Sequence, residues 1–133
     1  MTSIHAKSES GFSMIELLIV IVIIGILAAI AIPMYLNQRE KAKEAGVMAG
    51  VYNIEIGVAS YAIANDDVFP PVAQVTRAGG VGRMMDSWPV NQWTGADMAD
   101  TTSAARGDFH YMRGGDSFSL VGYGRSGIII SVR

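Results

Sequence analysis

The chain of 133 residues contains no cysteine, so it can form no disulfide, no thiolate metal site and no cysteine nucleophile. Whatever globular part it has must be held by packing and hydrogen bonds alone. Histidine is nearly missing too, with only His5 and His110. His110 falls in a predicted strand and reads as structural. Beyond Asn65 there is no lysine and no glutamate; seven aspartates and six arginines are interleaved there. That pattern offers no basic face to a nucleic acid. The aspartates match no calcium-loop spacing, and no serine has a His and an acid arranged for nucleophilic attack. The residues therefore predict no enzyme, no metal and no cofactor.

What the sequence has in abundance is apolar residues, 50% of the total, and they are not spread evenly. From Leu17 to Ile32 no side chain is charged or strongly polar. A helix rises about 1.5 Å per residue, so roughly 20 apolar residues span the hydrocarbon core of a bilayer. Phe12 to Met34 meets that length, interrupted only by Ser13 and Glu16 near its start. The preceding residues, 1–11, are short, polar and aperiodic, and read as a leader that is no part of the fold.

After Pro33 the pattern becomes amphipathic. Ala42, Ala45, Ala49, Tyr52, Ile56, Ala59 and Ile63 recur at alternating spacings of three and four, a narrow helical stripe. Met48, Val51, Val58 and Ala62 widen it. The spacing predicts one helix from about Phe12 to about Ala64, apolar all round in its first half and one-sided in its second. Gly46, Gly50 and Gly57 each cost about 1 kcal/mol relative to alanine there, and imply that another backbone packs close. Asn65-Asp66-Asp67 ends the helix, and Pro70-Pro71 prevents its resumption.

Residues 65–107 read as a long irregular connection, with Trp88 and Trp93 anchoring it to a core. Phe109 to Arg113, Ser117 to Tyr123 and Ile128 to Val132 read as strands joined at Gly114-Gly115-Asp116 and at Gly124 to Gly127. The expected fold is α+β. A leader (1–11) precedes a transmembrane or filament-core helix (12–34). A head (35–133) then packs the rest of the helix against a small antiparallel meander (108–133), whose apolar face covers the helix stripe.

Gly11-Phe12-Ser13-Met14-Ile15-Glu16-Leu17-Leu18 resembles the cleavage and methylation signature of the type IV pilin and pseudopilin family. The common form is a glycine followed by Phe-Thr-Leu-Ile-Glu-Leu-Leu. The resemblance runs on through Ile19 to Pro33 and fades near Ala45. It implies that a prepilin peptidase cuts after Gly11 and that the new amine of Phe12 is methylated. It also implies a homo-oligomeric helical filament built by an assembly platform and its ATPase. The precursor would sit in the cytoplasmic membrane and the product would be an extracellular pilus for adhesion, motility or DNA uptake. The leader departs from the family pattern, with Glu9 and Ser10 where Lys or Arg commonly precede the glycine.

Glu16 has a physical argument of its own. A carboxylate in a membrane helix costs roughly 2.5–3.5 kcal/mol at mid-bilayer. It is tolerated if a cation reaches the same layer, and the Phe12 amine of a neighbouring copy is such a cation. A misregistered copy would bury both charges unpaired, so the pair would set register. Pro33 frees the carbonyl of Ala29, and Gly25 is a second weak point, so the segment between them is a candidate for kinking or local melting during assembly. A rival reading, a conventional signal peptide cut after Ala31, would place Glu16 inside the signal and fits badly.

Two machines use such subunits, the type IV pilus and the pseudopilus of type II secretion. Asp86 to Asn91 and the closing hairpin faintly resemble major pseudopilins. The closing loop does not: Gly124-Arg125-Ser126-Gly127 has Arg and Ser where those proteins carry a calcium-binding aspartate. The pilus subunit is the expectation, the pseudopilin the alternative, and a monomeric single-pass protein displaying a head is a third reading.

Overall fold

The computed structural model describes residues 11–133; the expected leader, Gly11 apart, lies outside them. One helix, α1 (Met14–Ala64), runs for 51 residues. A short 3-10 turn (Val72–Gln74) and a one-turn helix, α2 (Gly80–Arg83), follow. Three strands close the chain: β1 (Phe109–Gly114), β2 (Ser117–Gly124) and β3 (Gly127–Val132). The described residues fall into two compact units, one ending at Asn37 and the other running Gln38–Arg133.

In the first unit the helix is built largely from Ile, Val, Leu and Ala. β-Branched residues are mediocre helix formers in water. In an apolar medium, however, a helix satisfies every backbone donor internally, and side-chain preference gives way to that requirement. The helix passes through Gly25 and Pro33 without interruption. Its apolar window is entirely unburied, and it is long and apolar enough to cross a membrane.

In the second unit the strands form an antiparallel meander in the order β1-β2-β3. Phe109 pairs with Gly122 and Gly114 with Ser117 across the first hairpin. Leu120 pairs with Val132 and Gly124 with Gly127 across the second, with a register shift at Gly122/Tyr123. The core joins Val47, Val51, Ile54 and Val58 of the helix to Phe109, Tyr111 and Leu120 of the sheet, and to Val75, Val81, Trp88 and Met98 of the connection. Each large apolar side chain so buried contributes about 1.5–3 kcal/mol. Gly122 lets the sheet come close, since a Cβ there would stand 2.8 Å from Val51 and 2.7 Å from Ile130.

The helix ends as its sequence requires. Asn65 turns its amide onto the Tyr61 carbonyl at 2.8 Å, and the Asp67 N–H donates back to Ala62 at 2.9 Å. Asp66 and Asp67 both take positive φ, the left-handed termination more often given to glycine.

The connection is more ordered than its composition suggested. Besides the two short helical turns it carries a bridge between Val90 and Asp97. Its organising residue is Asn91, only 2% exposed. The Asn91 carbonyl oxygen accepts from the backbone N–H groups of Trp93 and Thr94, and its amide donates to the Arg106 carbonyl and the Asp108 carboxylate. Trp88 donates its indole N–H to the Met98 carbonyl at 2.9 Å. Trp93 donates to Glu40 of α1 and has Lys43 and Arg106 over its ring. Both tryptophans thus anchor the connection as their placement predicted. His110 faces the Asp100 carboxylate, which also accepts from the Tyr111 N–H, and so caps the outer edge of β1.

Candidate assembly surface

At the N-terminal end, Gly11 and Phe12 precede the helix and are exposed, with nothing near the position a Gly11 Cβ would take. The helix then opens with reciprocal hydrogen bonds. Ser13 accepts from the Ile15 N–H at 3.2 Å, and Glu16 accepts from the Ser13 N–H at 2.8 Å. This is a capping box: the cap hydroxyl and the third helical carboxylate satisfy backbone donors that the helix itself leaves free. The spacing Ser-x-x-Glu was readable in the sequence and carries a meaning beyond the charge of Glu16. The carboxylate is already held by its own chain through one oxygen, Oε2. A cation could be taken by the other.

The second unit holds the larger surprise. Of the stripe expected to meet the sheet, the large residues point away from it. Tyr52 is 52% exposed, Ile56 65% and Ile63 79%, and Ala42, Ala45, Ala49 and Ala59 are exposed beside them. The face against the core is instead Val47, Gly50, Val51, Ile54, Gly57, Val58 and Ala62. The helix is therefore apolar on two faces: of the residues that widen the stripe, Val51, Val58 and Ala62 face the core as expected, whereas Met48 and the seven residues of the narrow stripe lie outside it. The discriminating signal was the regularity of the stripe. Strict alternation of three and four is the seam of a coiled coil, narrower than the face a helix lays on a sheet. Alanines at four of its seven positions leave room for another helix to come near.

The glycines of the core face also differ from expectation. They admit side chains, not a backbone. A Cβ on Gly46 would meet Gln92 at 2.7 Å, one on Gly50 Met98 at 2.6 Å, and one on Gly57 Met85 at 2.7 Å. All three partners come from the connection, whose contacts periodicity cannot reveal.

The N-terminal region matches the family model for the prokaryotic N-terminal methylation motif over residues 6–32. Along nearly its whole length the chain is similar to the type IV narrow pilus major component PilA5 of Thermus thermophilus. The two are 37% identical over 114 residues, which cover 83% of this chain and 92% of that protein. The chain belongs to the type IV pilin family. Other relatives match over less. The type IV major fimbrial protein FimA of Dichelobacter nodosus is 54% identical over 41 residues, 31% of this chain and 26% of FimA. The type II secretion system core protein G of Aeromonas hydrophila is 32% identical over 60 residues, 45% of this chain and 42% of that protein. No solved structure matches. These relatives are pilins and pseudopilins, so the chain is a structural protein and not an enzyme.

Proposed function

We propose that this type IV pilin is a pilus subunit, made as a membrane-anchored precursor and polymerised through α1 into an extracellular filament. The observation that carries the reading is the unpartnered seam. A chain acting alone would gain nothing from a second apolar face of strict coiled-coil spacing, exposed from Ala42 to Ile63. Exposed apolar surface of that extent marks an interaction site. Packing seams between copies buries it, and the apolar residues from Met14 to Leu36 demand the same once they leave the bilayer.

In this scheme a prepilin peptidase cuts after Gly11, whose lack of a side chain suits a tight extended pocket, and Phe12 becomes the methylated N-terminus. The mature subunit has 133 − 11 = 122 residues. Glu16 lies four residues after Phe12, about 6 Å along the helix. Its carboxylate meets the amine of an adjacent copy and sets register, while Gly25 and Pro33 mark where the helix can yield as copies pack. An assembly platform and ATPase in the cytoplasmic membrane drive the process. The similarity to core protein G keeps a secretion pseudopilus as the second reading. Deleting the pilus machinery and the secretion machinery in turn distinguishes the two by which deletion abolishes the filament.

The test is the mass and N-terminal sequence of filaments sheared from the cell surface. The expected species starts at methylated Phe12. A start at Ile32, or an absence of filaments containing this chain, overturns the reading.

A further inference from the structure

Beside the seam lies a cavity of about 290 Å³, lined by Asn53 and Ile56 of α1 and by Met84, Met85, Asp86 and Ser87 of the connection. It has room for far more than a water, whose share of liquid volume is about 30 Å³. Its lining mixes apolar side chains, Ile56, Met84 and Met85, with polar ones, Asn53, Asp86 and Ser87. Met84 is 45% exposed and Ile56 belongs to the seam itself, so the cavity opens where the proposed interface runs. The exposed Met84 gives this opening a side chain that can reshape around an inserted one. Asp86 is exposed at the rim and, among the described residues, has no salt-bridge or hydrogen-bond partner.

The chain carries a segment of matching chemistry. The apolar run of α1 ends at Tyr35 and Leu36, both exposed, and the first cation after it is Arg39. Arg39 lies three residues from Leu36 and four from Tyr35, so all three share one helix face. Arg39 too is exposed and without a charged partner among the described residues.

We propose that the cavity seats Leu36 of another copy of this chain, with that copy's Arg39 set against Asp86. The proposal rests on the filament reading and adds the head's own share of the joint. Such a contact is heterologous, a socket on one copy and a knob on the next, and therefore propagates along a filament instead of closing a dimer. The apolar contact would supply affinity, and the charge pair at its rim would fix orientation.

The absence of native cysteine makes the test clean. Filaments assembled from a chain carrying both Leu36→Cys and Met84→Cys, oxidised with copper-phenanthroline, should yield a ladder of covalent multimers. Either single variant should yield none. Intact filaments without a ladder overturn the docking and leave the filament reading standing, whereas wild-type cells without filaments overturn the filament reading. A second measurement covers the case in which the cysteine pair disturbs assembly. Asp86→Lys should lower filament yield by roughly fivefold, the size expected for losing one modest charge pair, and Arg39→Asp in the same chain should restore it. Normal yield from Asp86→Lys, or no restoration by the exchange, overturns the pairing.

Discussion

The two apolar faces of α1 in the second unit differ in composition and in use. The inner face offers Val47, Val51, Ile54 and Val58, with Gly50 and Gly57 between them. The outer offers alanines, Tyr52, Ile56 and Ile63. The inner face is already complete, because every gap a glycine leaves is filled by a side chain from the connection. The outer face has regular spacing and, among the described residues, is left exposed. Hydrophobicity alone does not say which side of a helix is the inside of the molecule. An inner face is shaped by the irregular side chains it must fit, whereas a seam is shaped by a repeat, because its partner is another helix.

Substitutions on the two faces should therefore fail in different ways. The largest effect on stability is expected for Ile54→Ala. It removes a fully buried side chain and should cost about 2–5 kcal/mol in unfolding of the detergent-solubilised chain. Ile56→Asp, only two residues away, should change that stability by less than about 0.5 kcal/mol, the usual range for exposed positions, yet abolish filaments. If Ile56→Asp unfolds the head, or assembles normally, the division of the helix into an inner face and a seam is wrong.

Asn91→Ala tests how far the inner face depends on the connection. It leaves the Asp108 carboxylate, the Arg106 carbonyl and two backbone N–H groups short of a partner. An unsatisfied buried polar group costs about 1–3 kcal/mol, so the loss should lie at or above that range in a denaturant titration. Gly107 should tolerate no side chain, since a Cβ there would collide with Asn91 and φ is +86°.

The extent of the helix, the three strands and their turns were legible because period and punctuation are local. The helix stop at Asn65-Asp66-Asp67 was legible for the same reason. The orientation of the helix was legible only in part: Val51, Val58 and Ala62 do face the core, but the narrow stripe does not, because two apolar stripes compete and only the partners decide between them. The partners of Gly46, Gly50 and Gly57 come from Met85, Gln92 and Met98, in a stretch with no periodicity at all. Asn91 illustrates the same limit: a lone asparagine in a glycine-rich run carries no sign that four hydrogen bonds converge on it. The capping box was different, since Ser13 and Glu16 stand at the required spacing. Glu16 carries both a charge and a capping hydrogen bond to the Ser13 N–H.

That double role sharpens the test of register. Glu16→Ala removes both the cap and the charge, so poor polymerisation would not separate them. Glu16→Gln keeps an oxygen that can accept from the Ser13 N–H while removing the charge. If the carboxylate pairs with a neighbouring amine, Glu16→Gln should be inserted and cleaved normally but polymerise as poorly as Glu16→Ala. Filaments of wild-type length and number from Glu16→Gln, beside a defective Glu16→Ala, would assign the residue to helix capping alone.

The smallest expected effect belongs to Tyr111, on the sheet side of the inner face. Its hydroxyl donates to the Pro70 carbonyl at 2.9 Å and ties the start of the connection to the core. Burial pushes the phenol above its ordinary value of 10.0, and Arg113 nearby offsets only part of that rise. The folded state thus holds the proton more tightly than the unfolded chain does. Tyr111 contributes its full share of stability below about pH 10, and that share is lost as pH rises from there through the folded value. Tyr111→Phe should remove the hydrogen bond at a cost of about 0.5–1.5 kcal/mol at neutral pH. It should also flatten the fall in stability above pH 10. Unfolding titrations of both chains at pH 8 and at pH 10.5 measure the two effects together. A gap between wild type and Tyr111→Phe that stays constant across that interval would mean that the phenol is not held neutral by the core.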